Sequence, residues 1–472
     1  MGGVFGVCSN NECVTDLFFG TDYHSHLGTQ HGGMAVYDGR FFYRTTHNIE
    51  NTPFRSQLES EIGNLKGKIG LGSISDNDPQ PVVLRSRIGT FAIATVGHIS
   101  NAEQLTQKLI SDNNAHFTEL KEGQTNITEI VASLICTKGS IADGILYAQS
   151  VIEGSITMLV CADDGIYAMR DKMGRTPLSI GRKDGAHCIS FESFAFINLG
   201  YESCYELGPG EVVFLRANSI ESIAKPRDEM RICAFLWTYY GYPTSEYEGI
   251  NVESMRYKCG RSLAAQDEAN GAFPKTDCVA GVPDSGTPYA IGYATQSGVP
   301  FARPLIKYTP TWPRSFMPHD ETIRSFIARM KLIPVDSLIS QKSLLLVEDS
   351  IVRGTQMRGI TDFLYARGVQ ELHIRPACPP IMFNCKFLNF TRSVSENELI
   401  SRQAVNDLEG VENCTDLSGY TEFGSQRYNN MVDTIRQKLN LTTLEYLSLD
   451  GLLDSIGLDR CNLCTYCWSG KE

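Results

Sequence analysis

The amino-acid sequence predicts a mixed α and β protein in two parts, an antiparallel α+β half followed by a parallel α/β half. Apolar and polar residues alternate between turn signals in the first half, as antiparallel strands with one covered face require. In the second half Leu344-Leu345-Leu346-Val347 is an unbroken apolar run followed by two acids and a small polar loop, which suits a strand buried on both faces of a parallel sheet. The length of 472 residues exceeds a typical single core, and 42% hydrophobic with 20% charged residues is ordinary globular composition.

Charge and patterning exclude several classes. A net charge of −12 argues against general nucleic-acid affinity, because basic phosphate contacts dominate such binding. The opening Met1-Gly2-Gly3-Val4-Phe5-Gly6 has no basic n-region, Gly6 stands where a myristoylation signal wants Ser or Thr, and no apolar stretch is long enough for a membrane span. A soluble cytoplasmic protein is expected. Fifteen cysteines without a secretion signal are then expected to be buried small hydrophobes or metal ligands, not a disulfide framework.

The segment from Leu344 to Thr355 carries the most chemistry. Its acids, Glu348 and Asp349, fall at the carboxyl end of the strand, where open α/β sheets bind ligands. Ser350, Gly354 and Thr355 then offer hydroxyls and open backbone N–H groups at the start of a helix, an anion site suited to phosphate. The acids would repel a phosphate, but they suit ribose hydroxyls, a metal ion or positive charge developing at an anomeric carbon. Together they point to a phosphorylated sugar. Taken alone, the segment is also compatible with a buried strand ending in a solvated acidic turn.

The order Glu348-Asp349-Ser350-Ile351-Val352-Arg353-Gly354-Thr355 resembles the phosphoribosyl pyrophosphate (PRPP) motif of type I phosphoribosyltransferases, in the D-D-S-I-V-R-G-T form of the amidophosphoribosyltransferase family. Val282-Pro283-Asp284-Ser285-Gly286 resembles that family's pyrophosphate loop, P-V-P-D-S-G. Leu305-Ile306-Lys307 with Arg314-Ser315-Phe316 resembles L-I-K-N-R-Y-x-G-R-T-F, a loop that closes over PRPP, although Tyr308 to Pro313 departs from it and lacks its internal arginine and glycine. The resemblance implies that Glu348 and Asp349 serve ribose and Mg2+, that Ser285 joins them at the metal, and that residues 350–355 hold the 5-phosphate. It also implies that Asp284, Ser285 and Gly286 face pyrophosphate while Lys307 and Arg314 neutralise its charge. Glu348 replaces the usual, shorter aspartate.

The tail Cys461-Asn462-Leu463-Cys464-Thr465-Tyr466-Cys467 permits zinc, an iron–sulfur cluster or a redox pair on spacing alone. It resembles the C-x-x-C-F-x-G ending of the iron–sulfur amidophosphoribosyltransferases. That resemblance implies a [4Fe-4S] cluster on Cys233, Cys385, Cys464 and Cys467, with Cys461 spare.

The first half, residues 1–225, resembles the family's N-terminal nucleophile (Ntn) glutaminase domain, which implies an αββα sandwich ahead of the phosphoribosyltransferase domain at 226–472. Arg170-Asp171-Lys172-Met173-Gly174-Arg175-Thr176-Pro177-Leu178 resembles its R-D-P-x-G-I-R-P-L, and Glu192-Ser193 its S-E-S. The catalytic positions depart. Gly2 stands in place of the nucleophilic cysteine and cannot form a thioester. Ser73 replaces the arginine that grips the glutamine carboxylate. Val96 replaces the oxyanion-hole asparagine beside Gly97, a loss that alone costs about 10²–10³-fold in rate. Ile127 replaces the aspartate for the substrate amine. Cys8 and Cys13 lack an adjacent free α-amino group, and His24 is expected to be structural.

The expected reaction is displacement of pyrophosphate from PRPP by ammonia to give 5-phosphoribosylamine for purine biosynthesis, with free ammonia or a partner glutaminase as the nitrogen source. Transfer to another amine, or a non-catalytic role binding PRPP or nucleotides, are the alternatives. The family resemblance further implies a homotetramer.

Overall fold

The computed structural model describes residues 2–113, 115–118, 120–121, 123–308, 332–388 and 395–471. Two antiparallel sheets build the first half. One has seven strands with Gly2–Ser9 near its centre, between Ala186–Ser190 and Ile69–Ser75. The other has six, with Gly89–Ile99 paired to Gly154–Cys161.

The period of two along each strand decides how these sheets stack. Val4 and Cys8 join a core with Ala92, Ala94, Val96, Leu159 and Cys161 of the second sheet. Phe5 and Val7 point the other way, against the helices Val14–Asp22 and Phe54–Ile62. On the second sheet Phe91 and Ile93 face helices Ala102–Asn113, Ile127–Cys136 and Ile141–Val151. One apolar core between the sheets and one beneath each helix layer give the αββα sandwich.

The second half contains a four-stranded, all-parallel sheet in the order Cys278–Gly281, Ser343–Glu348, Glu371–Pro376, Thr443–Leu444. The apolar run at 344–347 is its buried strand, covered on both faces as its sequence requires. Helix Val252–Ala269 packs along helix Thr287–Ser297, where Gly260 and Gly292 allow the backbones to meet; a Cβ at either would strike the other helix's main chain. Among the described residues no helix is long and apolar enough to cross a membrane.

Buried polar groups fasten the halves together. Arg170 spends its guanidinium on the carbonyls of Thr176 (2.7 Å), Leu207 (2.5 Å) and Gly174 (2.9 Å) and on Glu248 across the junction (2.7 Å). Glu192, fully buried, accepts from Tyr247 Oη (2.8 Å), Ser245 Oγ and His26 Nε2 (2.9 Å). His24 is structural, as expected: Nδ1 donates to the Gly20 carbonyl at 2.7 Å and Nε2 accepts from the Glu192 N–H at 3.2 Å. Burial lowers its pKa to about 4.

Burial opposes ionisation of Glu192, yet the His26 and Ser245 donors hold its carboxyl below the ordinary 4.5. Its contribution to stability is therefore present above pH 4.5 and fades as the pH falls below that value. Glu192→Ala, which strands the buried Ser245 and Tyr247 hydroxyls and the part-buried His26 ring, is expected to cost roughly 3–5 kcal/mol in urea denaturation at neutral pH. A loss under about 1 kcal/mol, the range of an exposed pair, would remove Glu192 as the fastening between halves.

Candidate active site

Strand register brings the two predicted loops together. Cys278–Gly281 and Ser343–Glu348 run parallel with Gly281 opposite Val347, so both strands end at the same edge. The Val282 N–H donates to the Val347 carbonyl at 3.0 Å and starts the turn through Pro283, Asp284 and Ser285. Gly286 closes that turn against the strand; a Cβ there would collide with the Val347 carbonyl.

Glu348 and Asp349 are both buried at this edge. Ser285 Oγ donates to Glu348 Oε1 at 2.9 Å, and the Asp349 N–H donates to the same oxygen at 3.0 Å. Ser350 Oγ donates to Asp349 Oδ1 at 2.5 Å. Burial, followed by the negative charge of Asp349, pushes the Glu348 carboxyl well above its ordinary range. Asp349 is also raised by burial, against the Ser350 hydroxyl and the positive charge of Arg256. Two acids held this close, with hydroxyls on both sides, suit a divalent cation or ribose hydroxyls.

Residues 350–355, expected from sequence to hold a phosphate, run from the strand Ser343–Glu348 into the next helix. Ile351 is buried, Val352 accepts from the Ile400 N–H at 2.9 Å, and Arg353 points outward to pair with Glu398 at 2.7 Å. Gly354, at φ +75°, turns the chain into helix Thr355–Ala366 and brings no capping side chain, so the first-turn N–H groups are not used by a side-chain cap. Lys307 ends the hairpin strand Leu305–Lys307 and pairs with Asp284 at 2.7 Å, both side chains being well exposed. Arg314, Ser315 and Phe316, and residues 309–313 of the departing loop, lie outside the described residues.

The sequence reading missed Arg256. Its guanidinium donates to the carbonyls of Trp237 (2.9 Å), Tyr239 (3.2 Å) and Gly241 (2.9 Å), in and just after the π-helical turn Leu236–Tyr240. Tyr289 Oη donates to Thr238 of that turn at 2.7 Å. The signal was available: Arg256 lies on the face of Val252, Met255, Cys259 and Leu263, at helical spacing where an apolar residue is expected.

The cysteine segments also converge. Ile232–Cys233 pairs in parallel with Leu463–Cys464, placing Cys233 opposite Cys464. Cys467 O accepts from the N–H groups of Met382 (2.9 Å) and Phe383 (3.0 Å), and the Leu388 N–H donates to Cys385 Sγ at 3.3 Å. Burial and then the charges of Cys464 and Cys385 push the Cys233 thiol up; burial followed by Cys233, Cys385 and Cys464 does the same to Cys467. Among the described residues no three His, Cys, Asp or Glu side chains converge on a single-ion position, and every cysteine is free. Four cysteines drawn from three separate segments into one neighbourhood suit, by donor chemistry, a polynuclear iron centre more than a single ion.

The positions expected to have lost the glutaminase groups sit on or beside the two sheets of the first half. Gly2 pairs with Ser75, and a Cβ at Gly2 would collide with the Ile74 carbonyl. Ser73 lies opposite Val4 and Gly33, buried and with no hydrogen-bond partner for its hydroxyl among the described residues. Val96 joins the core between sheets. Gly97, at φ +136°, lies so close to the Ser155 carbonyl that no side chain fits. The Ile127 N–H donates to Asp78 at 3.1 Å while Asn126 caps its helix.

The raised acids set a direction for stability. An unfolded chain releases these protons near 4.5 and 3.8, the folded chain at higher pH, so the pair destabilises the fold once pH exceeds those values and costs nothing below them. Without divalent cations, Glu348→Gln is expected to raise Tm at neutral pH, with the gain vanishing below pH 3.8. Thermal melts across that range check this; a lower Tm at neutral pH would contradict it.

No family model matches the chain. Among curated proteins it is similar to the amidophosphoribosyltransferase of Bacillus subtilis, 30% identical over 485 aligned residues covering 99% of this chain and 93% of that one. It is also similar to the amidophosphoribosyltransferase of Methanocaldococcus jannaschii, at 27% identity with 100% and 97% covered. Among solved structures, glutamine phosphoribosylpyrophosphate amidotransferase from B. subtilis complexed with ADP and GMP superposes with a TM-score of 0.84 at 29% identity, over 99% of this chain and 96% of that one. A structure described as the allosteric regulatory enzyme of purine biosynthesis matches with the same score and identity. With 30% identity across nearly the full length of both sequences, and the parallel-sheet edge assembled as its motifs require, the chain belongs to the amidophosphoribosyltransferase family.

Proposed function

We propose that the chain transfers phosphoribose from PRPP to ammonia, releasing pyrophosphate and forming 5-phosphoribosylamine for purine biosynthesis, and that it does not hydrolyse glutamine. The observation that carries the transfer is the acid pair Glu348 and Asp349, held at the strand edge between the Ser285 turn and the 350–355 loop. The loop N–H groups bind the 5-phosphate, and Glu348 and Asp349 take the ribose side. Lys307 and the turn at 284–286 face pyrophosphate. Breaking the C1–O bond leaves its electron pair on pyrophosphate; the ammonia lone pair forms the C1–N bond, and the nitrogen then loses a proton. Positive charge builds on the ribose ring between these events, so carboxylates near C1 lower the barrier by binding that state more tightly than PRPP itself.

Mg2+ fits Glu348, Asp349 and Ser285 by donor chemistry, and when bound it would neutralise charge on the leaving pyrophosphate. Cys233, Cys385, Cys464 and Cys467 would hold a [4Fe-4S] cluster pinning the tail to the core.

Loss of glutaminase activity is supported by position 2, where a thiol side chain has no room beside Ile74, and by the replaced groups at Ser73, Val96 and Ile127. Nitrogen then comes from free ammonia or a separate glutaminase.

Pyrophosphate release from PRPP and Mg2+ tests both parts, run with ammonium at alkaline pH, with glutamine, and with no nitrogen donor. Activity is expected with ammonium alone, and Asp349→Ala should lower it by about a hundredfold or more. Gly2→Cys is expected to add no glutamine-dependent turnover and to lower Tm. Turnover with glutamine in the native chain would refute the loss. Silence with ammonium despite PRPP binding would shift the reading to another amine acceptor or to a regulator.

A further inference from the structure

A buried guanidinium beside the cysteines lacks acceptors. Arg175 is 5% exposed, and its Nε and Nη1 groups find no hydrogen-bond partner among the described residues. Arg170, five positions earlier, gives its donors to three carbonyls and a carboxylate. The surroundings of Arg175 are the cysteine segments. Its carbonyl accepts from the Cys233 N–H at 3.1 Å. Its guanidinium carbon lies 3.5 Å from the centroid of the Phe387 ring, two residues beyond Cys385. That ring meets Tyr466 edge-on, centroids 5.5 Å apart, and Tyr466 lies between Cys464 and Cys467 in sequence. Arg175 thus touches the segments of Cys233 and Cys385, and Phe387 connects it to Tyr466 in the segment of Cys464 and Cys467.

Stacking on an aromatic face offsets part of the cost of burying a cation, but it satisfies no N–H donor. What the position lacks is an anion. The R-D-P-x-G-I-R-P-L pattern has isoleucine where this chain has Arg175 and arginine where it has Thr176, so here the cation stands one position earlier.

We propose that Arg175 is the countercharge of the iron–sulfur cluster on Cys233, Cys385, Cys464 and Cys467, and that it raises the cluster's reduction potential; this rests on the cluster assignment above. A one-electron reduction adds negative charge to the cluster, and a cation held in its dry surroundings favours that state.

The test uses full-length wild type, Arg175→Met, Arg175→Gln and Arg175→Lys, purified anaerobically, assayed for iron and acid-labile sulfide and titrated with dithionite under electron paramagnetic resonance. Arg175→Met and Arg175→Gln are expected to keep their iron while the reduction equilibrium weakens at least tenfold, about 59 mV for one electron. Arg175→Lys should stay near wild type. If Arg175→Met fails to fold, Arg175→Gln carries the test. A full cluster with an unchanged potential in either neutral variant would overturn the role of Arg175 alone. Absence of iron and sulfide from the wild type would overturn the cluster assignment, and this role with it.

Discussion

Two carboxylates buried side by side are the constraint around which the second half is arranged. Like charges a few ångströms apart repel strongly once water is removed, and burial disfavours each charge separately. The fold offsets this with fixed donors: the Ser285 hydroxyl, the Asp349 N–H, the Ser350 hydroxyl and, beneath them, the positive charge of Arg256. Each donor is placed by an element with another reason to be there. Ser285 follows a strand locked in register by Cys278 to Gly281, Ser350 begins the turn into a helix, and Arg256 is held by three carbonyls of the π-helical turn. The neutralisation remains incomplete, since both acids stay raised. An unfilled electrostatic demand of this kind favours a cation or a developing positive charge over any neutral occupant.

In the first half the positions aligned with the glutaminase motifs are closely packed: Val96 lies in the core between the sheets, Gly97 permits the close pass of Ser155, and Gly2 lies against Ile74. Its remaining polar investments face the other half. Arg170 and Glu192 are both buried, both saturated with partners, and both reach residues 245–248. A domain that had lost every reason to stay would be free to lose these first, because buried polar networks are costly when only partly satisfied.

Much of this was legible in the sequence, for physical reasons that differ between elements. The strand at 344–347 could be read because a strand covered on both faces has few alternatives to an unbroken apolar run, and its edge position fixed where the acids would lie. Val4 to Cys8, which carries no apolar–polar alternation, did not reveal that its alternate residues face a second sheet and a helix layer; that depends on pairing with residues far away in sequence. Arg256 was marked only by its place on an apolar helix face; what it does there depends on carbonyls opened by a π-turn, which leaves no signature in composition. Glu192 was visible within a motif, yet its three side-chain donors come from residues 26, 245 and 247, and nothing local announces that convergence.

The π-helical turn lies between the cysteine segments and the acid pair of the second half. It begins three residues after Cys233, whose strand is paired with the tail at Cys464, and its carbonyls are the anchors of Arg256. Arg256 in turn contributes positive charge at Asp349. Tyr289 grips the same turn from the helix that follows the Ser285 loop. The tail, by strand pairing, and the acid pair, by Arg256 and Tyr289, are thus both built onto this one short segment. Local backbone of this type, in which a wider turn exposes carbonyls for side chains to cap, couples distant segments more tightly than an ordinary helix whose carbonyls are already spent.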